Sequence, residues 1–238
     1  MKVRSILLTL YAAVFLPAMA WAGGGLSNGV VDKIYHPYVL PLEREFEWRF
    51  MSRQNDSGNS LVQRLGYGQS ISEHITLEGY IIGERDQSDD FGLIAIELEA
   101  RWMITEQGQY WADWGALFEL DKQHDEDIWE FTSGVLVEKE FGRSSLTANY
   151  LVEYEWGSVI SSSFHTEFRL QYRYRFIPEV QPAIELYTGQ EFVGIGPSFM
   201  GVHRYDRQKQ LKWEVGFIAG LNGDRKDHTL RMSLEYEF

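Results

Sequence analysis

The feature that most constrains this chain is a stretch over residues 164–176 in which side-chain polarity changes at every position. Large apolar or aromatic residues such as Leu170 and Tyr172 occupy one parity, and polar residues such as Arg169 and Arg173 occupy the other. A period of two is the side-chain repeat of an extended strand, whose successive residues point to opposite faces of a sheet. The stretch therefore predicts a strand with one apolar face and one strongly charged face.

Two architectures can carry such a strand. A soluble β-sandwich would leave the polar face in water, whereas a transmembrane barrel would turn the apolar face to lipid and the polar face to its lumen. The pattern recurs along the chain, with turn signals between the repeats. Twelve strand candidates cover residues 42–50, 61–68, 75–82, 93–104, 110–120, 129–141, 146–156, 164–176, 180–187, 194–203, 211–221 and 229–238.

We predict an all-β fold, a closed antiparallel transmembrane β-barrel of about 12 strands over residues 41–238. A sheet in lipid cannot leave an edge unpaired, so the barrel has to close. Outer-membrane barrels have short periplasmic turns and longer outer loops. The longer or more acidic connections, which we expect at the outer end, are residues 51–60, 84–91, 120–128 and 222–228.

The first 22 residues predict a secretory signal peptide. Lys2 and Arg4 precede an apolar run over residues 6–20, and small residues at the end of the run fit a cleavage site. The alternative is a membrane anchor that is kept, but the run is short for a span of ~20 residues.

Residues 23–40 show no polarity alternation and carry a run of three glycines and one proline. We interpret this segment as an N-terminal periplasmic lead that precedes the barrel. It could also fold into the lumen, although no residue pattern requires it to do so.

The composition narrows the classes of function. The formal net charge of −13 argues against a nucleic-acid partner, whose phosphates attract basic surfaces. The chain has no cysteine, which excludes disulfides, thiol catalysis and thiolate metal sites.

The last five residues alternate and end the chain on Tyr236, Glu237 and Phe238. This ending resembles the C-terminal assembly signal of bacterial outer-membrane β-barrel proteins. The resemblance implies a location in a Gram-negative outer membrane, contact with its lipid and lipopolysaccharide, and insertion by the barrel assembly machinery. The chain also resembles small proteobacterial barrels of the phenol-degradation MetA-pathway type, which implies a porin-like role in transport.

The inward faces of the predicted strands are unusually charged. An open lumen with acidic and basic walls would pass small polar or cationic solutes, whereas a lumen closed by salt bridges would make a structural, plugged barrel. The sequence leaves both readings open. We also expect the arginines of the eighth strand to pair with acids of the seventh and ninth. The predicted lumen-lining residues are Glu45, Glu47, Glu97, Glu99, Glu153, Glu155, Glu167, Arg169, Arg173, Arg175, Glu185 and Arg231.

Catalysis finds little support in the sequence. Outer-membrane phospholipases place a His and a Ser close together on a lipid-facing wall, but His165 falls on the inward parity here. His165 could form an acid/base pair with Glu167, and a simple hydrogen bond between them in the lumen is the interpretation we favour. A barrel lipid hydrolase is thus the weakest of three hypotheses. The acidic stretch around Asp121 and Asp125 could bind Ca²⁺ or Mg²⁺ through its oxygens, and a solvated outer loop is the interpretation we favour. We expect no enzymatic activity, cofactor or metal site.

Overall fold

The computed structural model describes residues 30–55, 58–85, 90–190, 192–206, 209–221 and 227–238. The predicted signal peptide lies outside these residues. The described part forms twelve strands. In chain order they are β1 (Arg44–Asn55), β2 (Gly58–Ser70), β3 (Ile75–Arg85), β4 (Phe91–Met103), β5 (Asp113–Gln123), β6 (Ile128–Phe141), β7 (Ser144–Gly157), β8 (Ser163–Tyr174), β9 (Gln181–Gly189), β10 (Phe192–Asp206), β11 (Lys209–Gly220) and β12 (His228–Glu237).

The twelve strands form one closed antiparallel barrel in which every strand pairs with its neighbours in the chain. The first and last strands close it, with Trp48 of β1 opposite Leu234 of β12. Closure leaves no unpaired edge, as lipid requires. The predicted fold class is therefore confirmed. Among the described residues there is no helix long and apolar enough to cross a membrane.

The strands extend further than the sequence predicted, and this changes the loops. Residues 51–60 were predicted as an outer loop, but Ser52 of β1 lies opposite Leu61 of β2 in a paired hairpin. We call the end of the barrel where β1 begins and β12 ends the terminal end. This end carries the long connection over residues 104–112. The predicted outer loop over residues 51–60 is therefore wrong, because backbone pairing continues beyond the apolar belt. The predicted loops over residues 84–91 and 222–228 lie partly outside the described residues.

The outer face of the barrel is an apolar belt. Leu98 of β4 is 61% exposed although it lies between two buried glutamates, as strand alternation requires. Trp129 and Trp156 stack near the other end of the barrel, with ring centroids 6.4 Å apart. Exposed apolar side chains on all sides fit a surface in contact with lipid.

The C-terminal residues complete the closure of the barrel. The Phe238 amide donates to the carbonyl oxygen of Arg44 at 2.9 Å. The Phe238 ring stacks on Phe46 and Tyr236 at centroid distances of 5.6 and 5.8 Å. The role of Tyr236 and Phe238 as an assembly signal stays a prediction.

Candidate functional site

A segment of the chain lies inside the barrel. Residues 30–40, which we call the inner segment, belong to the stretch interpreted as a periplasmic lead, with a position in the lumen as the alternative. They cross the lumen. Val30 and Ile34 pack against Tyr187 and Ile218, close to the outer ends of β9 and β11. At the terminal end, the Ser70 hydroxyl donates to the carbonyl oxygen of Leu40 at 2.7 Å.

The inner segment is bound by side chains of the wall, and none of its residues belongs to a strand. The side-chain amide of Asn149 accepts from the Tyr35 amide and donates to the Tyr35 carbonyl, both at 2.8 Å. Arg169 donates to the Lys33 carbonyl at 2.8 Å. The Tyr187 hydroxyl donates to the backbone carbonyl of the residue before Lys33, also at 2.8 Å. The wall therefore satisfies backbone groups that would be costly to bury without partners.

Charged side chains of the inner segment also reach the wall. The Lys33 ammonium lies 3.1 Å from a carboxylate oxygen of Glu47 and 3.3 Å from one of Glu235. His36 Nδ1 lies 2.5 Å from Glu138 on β6. These contacts attach the segment to opposite sides of the barrel.

The segment rests on an apolar seat that the sequence analysis missed. Pro37 packs so closely on β5 that a Cβ added at Gly115 would lie 2.9 Å from the Pro37 Cβ. Apolar residues on the inward parity were the available signal, because a water-filled lumen gives them no partner. The seat places Tyr35 against Leu117, Leu136 and Leu151.

One side of the inner wall carries mainly carboxylates, and we call it the acidic sector. It spans the inner faces of β4 to β7. In the strand register Glu97 lies opposite Asp121, Asp121 opposite Glu130, and Glu130 opposite Glu155. Like charges directly opposite each other are destabilising. Among the described residues, Asp121 and Glu130 have no ion pair within 4.0 Å. The sector also includes Glu99, Glu119 and Glu153.

The rest of the wall, which we call the paired sector, combines acids with bases. Arg231 of β12 pairs with Glu185 of β9 and, at 2.8 Å, with Glu214 of β11. Arg169 pairs with Glu167 on its own strand at 2.7 Å. Glu167, Glu185 and Glu214 therefore each have a guanidinium partner.

The predicted ladder between β7, β8 and β9 has different partners in the structure. Arg173 pairs with Glu138 at 3.2 Å and Arg175 pairs with Glu140, both on β6. The register explains the difference, because Asn149 and not Glu153 lies opposite Arg169. Glu153 lies opposite His165, four residues or about 13 Å along the strand from the position opposite Arg169.

The structure buries ten of the predicted lumen-lining residues and leaves Arg173 and Arg175 half-buried. The buried ones are Glu45, Glu47, Glu97, Glu99, Glu153, Glu155, Glu167, Arg169, Glu185 and Arg231.

Two other sequence interpretations are wrong. Asp121 was assigned to an outer loop, but it belongs to β5 and is buried on the inward face. His165 was paired with Glu167, but its Nε2 lies 3.0 Å from the Ser163 hydroxyl oxygen. Glu167 instead pairs with Arg169.

Two groups of three carboxylates have oxygens within 4.8 Å of one another. The group at the terminal end is Glu43, Glu45 and Glu237. Burial and the neighbouring Glu237 carboxylate raise the pKa of Glu43, while Lys212 pairs with Glu237. The group in the acidic sector is Glu97, Glu99 and Glu119.

Comparison with solved structures shows the same fold at low sequence identity. The COG4313 outer membrane channel from Pseudomonas putida F1 matches with a TM-score of 0.57 and 15% identity over 87% of this chain and 100% of that chain. The KdgM porin in complex with disordered oligogalacturonate matches with a TM-score of 0.54 and 13% identity over 81% and 99%. The beta domain of the Bordetella autotransporter BrkA matches with 0.54 and 13% over 83% and 99%.

These matches, together with the closed sheet and its apolar belt, define the fold. The chain is a closed antiparallel β-barrel with an apolar outer face, the fold of these outer-membrane proteins. No protein-family model matches the sequence, and a search of curated proteins finds no match. The finer resemblance to MetA-pathway barrels stays a prediction.

Proposed function

We propose that the protein is an outer-membrane channel for small polar or cationic solutes and that its inner segment closes the lumen until it is displaced. The observation that carries the proposal is the combination of an inner wall rich in facing carboxylates on one side with a segment that the wall holds through side-chain contacts. The likeness to two structures described as a channel and a porin supports it.

The way in which the segment is bound supports displacement. Its contacts with the wall can break without disrupting any strand pairing, because its residues belong to none of the strands. The turn into β1 contains Leu42 at a φ of 64°, in the left-handed region. A residue with a side chain costs about 1–2 kcal/mol there. This strained turn is the hinge about which the segment would move.

The charge of the wall supports the class of solute. A narrow pathway lined by carboxylates raises the local concentration of cations and repels anions. The KdgM porin is described in complex with an oligogalacturonate, which is a polyanion. The acidic sector makes such a ligand unsuitable here, so only the role as a channel is carried over.

The surroundings of the barrel follow from the same proposal. Membrane lipid and lipopolysaccharide would contact the apolar belt, and the ending at Tyr236 and Phe238 would be read by the barrel assembly machinery. A structural barrel with a plugged lumen is the second candidate, since the inner segment crosses the lumen and packs on its wall.

Planar-bilayer recordings test the proposal. Refolded wild type is compared with a variant that lacks residues 23–40, and heat-modifiable gel migration confirms that both are folded. We expect larger and steadier currents from the variant, with a reversal potential in a salt gradient that shows cation selectivity. Silence of both folded forms would favour the plugged barrel. Anion selectivity of the variant would contradict the acidic pathway.

A further inference from the structure

Three carboxylates of the acidic sector converge on one point of the lumen. Glu97 and Glu99 project inward from β4, and Glu119 of β5 lies directly opposite Glu99. One carboxylate oxygen from each of the three residues lies within 4.8 Å of those of the other two. Three like charges at this separation repel one another strongly unless nearby cations compensate them.

The cationic side chains of the wall compensate the charges of these three carboxylates only in part. Arg64 lies 2.6 Å from Glu97 Oε2, but it also lies 3.3 Å from Asp32 of the inner segment. Arg49 approaches Glu99 Oε2 no closer than 3.8 Å, while it pairs with another acid at 2.9 Å. Both guanidinium groups are therefore shared with acids outside the cluster, which keeps an excess of negative charge.

Two oxygens in this cluster have no partner. Glu97 and Glu99 are 1% and 2% exposed, and the Oε1 atom of each has no hydrogen bond in the structure. The Oε2 atom of Glu99 and the Oε1 atom of Glu119 are contacted by the Tyr35 hydroxyl at 3.0 and 2.7 Å. A buried carboxylate oxygen without a partner carries a large desolvation cost. The cost indicates that a ligand belongs between the three side chains.

We propose that Glu97, Glu99 and Glu119 bind a divalent cation, with Ca²⁺ as the fitting ion. Carboxylate oxygens are the ligands that hard cations prefer, and Ca²⁺ tolerates an irregular set that is completed by water. A metal site was not expected from the sequence, because the three residues meet only through the register of β4 and β5. The site does not depend on conduction, so binding can be measured on a barrel that passes no current.

The test is calorimetric titration of the refolded, full-length protein in detergent with CaCl₂. We expect one site per chain with a dissociation constant of about 10⁻⁴ to 10⁻³ M, as in extracellular calcium modules. Glu99→Gln keeps the shape of the side chain but removes a charge, and it should weaken binding about tenfold or more. The matched control is Glu140→Gln. Glu140 lies on β6 and pairs with Arg175, so this variant should bind Ca²⁺ as wild type does.

A second readout locates the ion. Tb³⁺ bound between the carboxylates would be sensitised by the adjacent Tyr35 ring, so Tyr35→Phe should reduce Tb³⁺ luminescence while calorimetry still detects Ca²⁺. Absence of Ca²⁺ binding by folded wild type would overturn the proposal. Equal losses in Glu99→Gln and Glu140→Gln would overturn it as well, because they would show adventitious binding to an acidic barrel.

Discussion

The acidic sector and the paired sector have the same strand alternation but opposite electrostatics. In the paired sector, Glu185 is fully buried and pairs with Arg231 across the sheet. In the acidic sector, Asp121 and Glu130 are also buried, but these two acids lie directly opposite each other on the neighbouring strands β5 and β6. The difference shows that alternation determines which side chains point inward, while the register and closure of the barrel determine which of them find a partner.

The comparison also separates stability from function. Ion pairs of the paired sector compensate the charges that they bury. Repulsion in the acidic sector opposes folding, and a group that is unfavourable for folding is expected where a protein binds or conducts. The two proposals, cation passage and cation binding, therefore both concern the acidic sector.

The largest effect is expected in the paired sector. Arg231→Met should destabilise the barrel by about 3–5 kcal/mol, because it leaves the buried Glu185 carboxylate without its partner. Folding titrations in bilayers with urea would measure the loss. The double variant Arg231→Met with Glu185→Gln should recover part of it, and a single variant as stable as wild type would contradict the role of the pair.

A charge placed on the outer face of β4 should destabilise the barrel. Leu98→Arg places a cation on the lipid face, where it should cost about 2–4 kcal/mol. Leu98→Ile is the control, since it keeps an apolar side chain at the same position. If both variants fold with wild-type stability in bilayers, Leu98 does not face lipid.

The smallest effect is expected in the acidic sector, with the opposite sign. Glu130→Gln removes one of several facing carboxylates and should stabilise the barrel by about 0.2–1 kcal/mol. Glu185→Gln, at a paired acid, should destabilise it in the same urea titration. A loss of stability in Glu130→Gln as large as that in Glu185→Gln would remove the distinction between the sectors.

The fold could be predicted from the sequence because alternation is a local property. The inward positions of Glu97 and Glu99 and the outward position of Leu98 follow from parity alone. Strand ends were less predictable, since the pairing of β1 with β2 continues to Asn55 and Gly58, into a stretch with no apolar face.

The candidate site could be predicted only in part, because it depends on contacts between residues distant in sequence. The meeting of Glu119 with Glu99 depends on register, and the pairing of Arg173 with Glu138 skips a strand. The position of the inner segment depends on its fit to the seat around Leu136. No local pattern in residues 23–40 encodes that fit.

The most direct test of the account is a disulfide that fixes the inner segment to the wall. The chain has no cysteine, and the close approach of Pro37 to Gly115 suits a Pro37→Cys, Gly115→Cys pair. The 2.9 Å between Cβ positions needs a shift of about 1 Å to reach disulfide geometry.

Single-channel recordings would compare the oxidised and reduced protein, with the single variant Pro37→Cys as the control for reductant. We predict that the oxidised protein stays closed and that reduction restores the currents. Equal currents in both states, with the disulfide verified by mass spectrometry, would contradict an inner segment that must move for the channel to open.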